Sequence, residues 1–227
     1  MRVLLFGATG MAGRAVFEAC LASPVVTQVR AITRRPLAEP SRKFVGVVHG
    51  DLSDYSLIEP AFQDVDVCLF CVGISTTQVP EESAYRQITY EFPLAAAAAL
   101  RDGSPAAQFQ YLSGDGASLD SRFMWARVKA EAERDLMAGY QAVCWRPMAI
   151  GAKSSANTPF AYKLVFPFFP LIQGIRRLYV SGADLGNAMI QANIEGTRRR
   201  VIKSAEIRDF ADRYRAVSHR TSGPVKI

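Results

Sequence analysis

Apolar residues occur along this chain in short runs that alternate with stretches of helical spacing. The first run, residues 3–6, is unbroken, as expected for a strand that is buried on both faces of a parallel sheet. Beyond it, apolar positions recur with helical spacing until Ser23 and Pro24, which predicts a helix that ends there. Similar runs predict strands over residues 25–33, 44–49, 65–72, 109–112 and 142–146, and helices over 84–100 and 123–137.

This alternation predicts the fold class, an α/β fold in which helices cover both faces of a doubly wound parallel sheet, as in a Rossmann fold. No repeat or low-complexity linker interrupts the chain, so a single domain is predicted over residues 1–227. Aromatic residues cluster with prolines over 160–169. Residues 151–227 are therefore predicted to form a small C-terminal part that lines the substrate cleft, although packing or a dimer surface explains the cluster equally well.

Three glycines join the first strand to the first helix. Gly7, Gly10 and Gly13 have the spacing G-x-x-G-x-x-G, with Thr9 and Met11 between them. One glycine allows a tight turn, another lets a pyrophosphate approach the backbone, and the third lets the helix pack on the strand. The helix N-terminus that follows offers free N–H groups to an anion. Because a strand precedes the glycines and a helix follows them, they predict a dinucleotide-binding turn that all five residues line.

The end of the second strand indicates which dinucleotide is bound. In a doubly wound domain this position contacts the adenosine ribose, and an acidic residue there accepts hydrogen bonds from the ribose 2′-hydroxyl. Here the chain has Thr33, Arg34 and Arg35, with no acidic residue before Glu39. Because arginine pairs with phosphate through a charge-assisted fork, NADP(H) is predicted rather than NAD(H). The alternative is that the arginines only solvate an exposed loop.

Two further strand ends are predicted to lie along the same cofactor. Asp51 and Leu52 follow the third strand, where a loop reaches the adenine, although the acidic and hydroxyl residues nearby are equally suited to capping a helix. Gly73 follows the fourth strand and lets the backbone approach the nicotinamide side.

Composition narrows the class of protein. The 227 residues are 49% hydrophobic and 21% charged, which is typical of a globular protein with a substantial core. The net charge of +6 favours anionic partners, but the one dense basic run, residues 198–200, has no interleaved aromatics, so no nucleic-acid partner is predicted. Neither histidine has a partner cluster, and no metal site is predicted.

The cysteines and the apolar segments bear on location. Cys68 and Cys71 are three residues apart on a predicted strand, so they point to opposite faces and cannot act as a pair. Reduced core thiols are expected. The chain shows no secretory signal pattern and no apolar stretch long enough to span a bilayer, and these observations predict a cytoplasmic location.

The order of these motifs resembles the short-chain dehydrogenase/reductase superfamily, specifically its atypical, extended-like branch, which includes the Tat-interacting-protein-like oxidoreductases. The resemblance covers about residues 1–151. It is carried by G-A-T-G-M-A-G at 7–13 and by Arg146, Pro147 and Gly151 after the sixth strand. It implies a catalytic serine, matched by Ser113, and a Tyr-x-x-x-Lys motif whose lysine, Lys129, binds the nicotinamide ribose and lowers the pKa of the phenol.

The chain departs from that pattern at Trp125, which stands where the tyrosine is expected. Indole only donates hydrogen bonds and cannot exchange a proton near neutral pH. Three interpretations follow: a reductase that uses Ser113, a water, Tyr85 or Tyr90 as the acid; a non-catalytic NADP(H) sensor or interaction module; and a flavin- or quinone-reductase-like enzyme. The predicted function is an NADP(H)-binding, oxidoreductase-like protein, monomeric or homodimeric, with an apolar or carbonyl/quinone-like small molecule as its second ligand.

Overall fold

Seven parallel strands form the central sheet of the protein, whose computed structural model describes residues 1–151 and 172–221. They are β1 (Arg2–Phe6), β2 (Gln28–Thr33), β3 (Phe44–Val48), β4 (Val67–Phe70), β5 (Gln108–Leu112), β6 (Val143–Arg146) and β9 (Val201–Lys203), in the order β3-β2-β1-β4-β5-β6-β9. A separate parallel ribbon pairs β7 (Ala149–Gly151) with β8 (Tyr179–Ser181). The predicted doubly wound parallel sheet is confirmed.

Helices cover both faces of this sheet. On one face lie α1 (Met11–Ala22), α5 (Gly182–Ile194) and α6 (Ser204–Thr221). On the other lie a 3₁₀ helix (Ser56–Phe62), α3 (Phe92–Gly103) and α4 (Met124–Tyr140), with the short α2 (Glu82–Arg86) beside α4. Each face has its own hydrophobic core, and Cys71 belongs to the first core while Cys68 belongs to the second. The prediction that these two thiols point to opposite faces is confirmed.

Several element boundaries differ from those predicted. Strand β9 was missed because it is three residues long, follows the arginines at 198–200 directly, and buries a single large side chain, Ile202. The final helix, α6, follows β9 directly and begins at Ser204. Ser181 caps α5, because its hydroxyl accepts from the Asp184 amide at 3.0 Å. The aromatic cluster over 160–169 lies outside the described residues.

A π-helical turn, Gln87–Glu91, joins α2 to α3. Pro93 has no amide hydrogen, so it cannot donate to the carbonyl of Thr89, four residues earlier. The hydroxyl of Tyr111 on β5, which is 1% exposed, donates to that carbonyl at 2.9 Å. The helix predicted over 84–100 is therefore interrupted by a wider turn before Pro93, and the sheet supplies a donor to the Thr89 carbonyl.

Replacing Tyr111 with phenylalanine is expected to lower the free energy of unfolding by about 1–3 kcal/mol, because it removes the hydroxyl that donates to the buried Thr89 carbonyl. Urea denaturation measures the change. Tyr140→Phe is the matched control, since the Tyr140 hydroxyl has no hydrogen-bond partner in the described part of the chain, and its expected effect is within about 0.5 kcal/mol. Equal losses in the two variants would show that the hydroxyl does not support the turn.

Candidate functional site

The glycines of the first turn differ in what they require of the backbone. Gly7 has φ +85°, and a β-carbon there would lie 2.6 Å from the carbonyl oxygen of Cys71. A β-carbon on Gly13 would collide with the carbonyl oxygen of Gly7, so α1 packs directly on the turn. Gly10 is less confined, because the nearest atom to its β-carbon position lies at 3.4 Å. A β-carbon therefore does not fit at Gly7 or Gly13, so these positions require glycine, whereas space remains beside Gly10.

The N-terminus of α1 lies at the crevice between β1 and β4. The sheet order reverses here, because β2 and β3 lie on one side of β1 while β4 lies on the other. Gly10 is the N-cap residue, no side chain caps the helix, and its first turn has no acidic residue. Thr9 is exposed and Met11 is half-buried. Free amides at a helix N-terminus, next to such a switch point, fit the pyrophosphate of a dinucleotide.

The end of β2 presents two arginines beside this crevice. The hydroxyl of Thr33, itself buried, donates to the Arg35 carbonyl at 2.8 Å and shapes the turn. Arg34 and Arg35 are exposed, and neither guanidinium has an acidic partner in the described part of the chain. Both cations are therefore free to pair with an anionic ligand.

The other predicted cofactor contacts, Asp51, Leu52 and Gly73, differ in how accessible they are to a ligand. The carboxylate of Asp51 accepts from the Ser53 amide at 2.9 Å and from its hydroxyl, and these bonds lower the pKa of Asp51. Leu52 is 8% exposed and its side chain packs in the core, so only its backbone is available to a ligand. Gly73 is exposed and has nothing within 4 Å of its β-carbon position. Of the three residues, Gly73 has the most open surroundings.

Ser113 and Lys129 are brought together as expected. The Nζ atom of Lys129, on α4, donates to the carbonyl oxygen of Ser113, just past β5, at 2.9 Å. Burial lowers the pKa of Lys129 to about 8, and the nearby charge of Glu133 opposes that shift. The Ser113 hydroxyl is buried and has no hydrogen-bond partner within the described residues. An unpaired buried hydroxyl is costly, so it is a candidate contact for a ligand oxygen.

The tyrosines considered as substitute acids are poorly suited to that role. The hydroxyl of Tyr90 donates to Asp135 at 2.8 Å, and this hydrogen bond raises the pKa of Tyr90. Tyr85 is 1% exposed, and burial raises its pKa. Trp125 lies one helical turn before Lys129, with its ring over Gly116, so that a β-carbon on Gly116 would lie 3.2 Å from Trp125 Cη2.

An ion pair that the sequence analysis missed lies next to Lys129. Glu133, one turn further along α4, is 1% exposed. The Nε atom of Arg146, at the end of β6, donates to both of its carboxylate oxygens at 2.9 and 3.0 Å, and Nη2 also donates to this carboxylate. The pair joins α4 to β6 beside Ser113, whose amide donates to the Trp145 carbonyl at 2.9 Å. The sequence signal that could have identified Glu133 is its position four residues after Lys129, on the same face of the helix.

Among solved structures, a dTDP-glucose 4,6-dehydratase from Streptomyces venezuelae, the DesIV double mutant with NAD bound, has a related fold. Its TM-score is 0.67 at 15% identity, with coverage of 96% of this chain and 81% of that chain. At that identity the likeness establishes the fold alone.

The cytoplasmic location predicted from the sequence is wrong. Relatives from five fungi carry the name FMP52, mitochondrial, which contradicts a cytoplasmic assignment. The expectation rested on secretory and membrane-spanning patterns, and neither pattern decides mitochondrial import. Within residues 1–151 and 172–221, no helix has the length and apolarity needed to cross a membrane.

Sequence relatives establish the family. The mitochondrial protein fmp52 of Aspergillus clavatus is 31% identical over 165 residues, which cover 69% of this chain and 70% of that protein. Protein HTATIP2 of Rattus norvegicus is 27% identical over 134 residues, covering 58% of this chain and 54% of that protein. The model of the NmrA-like family matches residues 1–103. The chain therefore belongs to the family of the FMP52 proteins, and the NmrA-like match over its first 103 residues agrees with the predicted resemblance to atypical short-chain dehydrogenases/reductases.

Proposed function

We propose that this chain binds NADP(H) at the turn between β1 and α1 and acts as an oxidoreductase on a small carbonyl- or quinone-like molecule. The observation that carries the proposal is the uncapped N-terminus of α1 behind Gly7, Gly10 and Gly13, at the point where the sheet order reverses. Amides there would bind the pyrophosphate, with the helix dipole favouring its charge. Gly73, across the crevice, leaves room for the nicotinamide side.

The preference for the phosphorylated dinucleotide rests on Arg34 and Arg35. Both guanidinium groups are exposed, and neither has an acidic partner among the described residues. A 2′-phosphate offers such groups a charge-assisted, bidentate hydrogen-bonding partner, whereas a 2′-hydroxyl does not. Asp51 accepts from Ser53 through Oδ1 alone, so its other carboxylate oxygen is available to the adenine end of the cofactor.

Ser113 and Lys129 would serve the reacting end of the site. A bound nicotinamide supplies the hydride equivalent, while the protein provides position and charge. The Lys129 ammonium is held by the Ser113 carbonyl, beside the unpaired Ser113 hydroxyl, which is free to donate to a substrate oxygen. Because burial brings the pKa of Lys129 to about 8, its ammonium can release a proton near neutral pH.

Trp125 supports a second candidate, a non-catalytic NADP(H) sensor. Without the phenol the acid–base contribution, about 10²–10⁴ in rate for a positioned group, is lost or passes to Ser113 and Lys129. NADPH oxidation with carbonyl, quinone and flavin acceptors distinguishes the two candidates. Turnover by the wild-type protein supports the enzyme, and turnover that appears only in Trp125→Tyr supports the sensor.

Arg34→Glu is expected to weaken NADPH binding at least tenfold while changing NADH binding less than threefold, because it replaces a phosphate-binding cation with a repelling carboxylate. Isothermal titration measures both affinities. Arg198→Glu makes the same charge change next to β9, at the opposite edge of the sheet from β3, and should leave both affinities unchanged. Equal weakening of NADPH and NADH in Arg34→Glu would contradict the proposed preference.

A further inference from the structure

We propose that Trp125 and Phe123 form a stacking surface for a planar, conjugated substrate of the quinone class. This inference rests on the proposed function, and it names the class of substrate for the same site. The term stacking surface refers to these two side chains, at the start of α4, which also carries Lys129.

The loop after β5 places the stacking surface beside the polar groups of the site. A β-carbon on Gly114 would lie 3.6 Å from the Nζ atom of Lys129, and one on Gly116 would lie 3.2 Å from Cη2 of Trp125. The ammonium and the indole therefore lie against the same loop, two residues apart. A ring stacked at Trp125 would lie beside this loop, to whose first residue, Ser113, Lys129 of α4 is hydrogen-bonded.

The second aromatic ring extends this surface into solvent. The rings of Phe123 and Trp125 have centroids 6.5 Å apart and an interplanar angle of 23°, so they are nearly parallel. Phe123 is 67% exposed, and Leu119 and Met148, after β5 and β6, are 48% and 49% exposed. Leaving a phenylalanine exposed forgoes part of the free energy that burying its ring would provide. Exposed apolar residues that continue from a polar site are typical of a substrate surface.

The electronic character of the stacking surface also matches that of a quinone ring. Indole is electron-rich, while a quinone ring is electron-poor and carries two carbonyl acceptors, so offset stacking is favourable. An aliphatic ketone of similar size lacks the flat face. In quinone reduction the reduced nicotinamide dinucleotide gives one hydride to the quinone, and water supplies one proton. The products are a hydroquinone and the oxidised dinucleotide. Charge delocalised over the ring makes this step less dependent on a phenolic acid than ketone reduction.

Binding is tested without cofactor, with 2-methyl-1,4-naphthoquinone as the probe and a decalone of the same two-ring size as the saturated comparison. Saturation-transfer NMR titrations, which do not depend on a tryptophan reporter, give affinities for the wild-type protein, Trp125→Leu, Phe123→Leu and the control Leu57→Ala. Leu57 is 87% exposed, on the 3₁₀ helix. We expect at least tenfold weaker naphthoquinone binding in Trp125→Leu, about threefold weaker binding in Phe123→Leu, and no change in the control.

Trp125→Phe keeps a flat ring and should weaken naphthoquinone binding less than threefold, so the test stands even if Trp125→Leu does not fold. Decalone binding as tight as naphthoquinone binding, or unchanged affinity in Trp125→Leu, would overturn the inference. NADPH titration of the same variants separates the two proposals. Naphthoquinone binding that depends on Trp125 in a protein that does not bind NADPH would refute the proposed function while supporting the stacking surface.

Discussion

Replacing Arg146 with methionine is expected to destabilise the protein by about 3–5 kcal/mol, because it leaves the Glu133 carboxylate buried without its partner. Glu133 is 1% exposed, and the Arg146 guanidinium donates to both of its oxygens. The expected loss is a large fraction of the 5–15 kcal/mol that is typical of a folded domain. Urea denaturation followed by circular dichroism measures it.

The double variant Glu133→Met with Arg146→Met provides the control. Replacing both partners of a buried ion pair with apolar residues of similar volume is often neutral or stabilising, by about 1–4 kcal/mol. We expect the double variant to recover most of the stability that Arg146→Met loses. If both proteins lose the same stability, the packing of Arg146 matters rather than its charge.

Gly13→Ala and Gly10→Ala are expected to fail in different ways. A β-carbon on Gly13 would collide with the carbonyl oxygen and carbon of Gly7. These are backbone atoms, which cannot move aside as the end of a flexible side chain can. Gly13→Ala should therefore lose about 1–3 kcal/mol or more of stability together with NADPH binding.

At Gly10 the β-carbon fits, with its nearest atom at 3.4 Å. Gly10→Ala should lose less stability than Gly13→Ala, with only the weaker N-cap preference of alanine against it, but bind NADPH at least tenfold more weakly, because the methyl group occupies the space proposed for the pyrophosphate.

Gly139→Ala is the matched control for both glycine variants. Gly139 lies in α4 with nothing within 4 Å of its β-carbon position, and alanine is the better helix former by about 1 kcal/mol. This variant should be as stable as the wild-type protein or more so, with unchanged NADPH affinity. If Gly10→Ala binds NADPH as tightly as Gly139→Ala does, the pyrophosphate does not lie at this turn.

The features predicted correctly from the sequence are those encoded by neighbouring residues. Apolar runs and glycine spacing gave the parallel sheet and the turn at Gly7, because buried strands and tight turns have local residue patterns. The family resemblance implied that Ser113 and Lys129 share one site, and the Lys129 ammonium indeed donates to the Ser113 carbonyl.

Features that depend on distant residues were missed. The Glu133–Arg146 pair joins α4 to β6, and the bond from Tyr111 to Thr89 joins the sheet to a π-helical turn. A local pattern marks Glu133, four positions after Lys129, but none marks its distant partner Arg146 or the pairing of Tyr111 with Thr89. Strand β9 exists because β6 provides a partner for three residues, which are too few for any periodicity. Location was wrong for a different reason, since receptors read targeting segments and the fold does not specify them.

The measurement that tests the central claim most directly is an NADPH titration of ¹⁵N-labelled protein followed through its amide signals. We expect the amides of residues 10–13 and the side chain of Arg34 to shift together, with a single submillimolar Kd and one site per chain, because pyrophosphate and 2′-phosphate bind at those two places. Saturation by NADPH without shifts at residues 10–13, or no binding of either NADPH or NADH below millimolar concentration, would contradict the proposal.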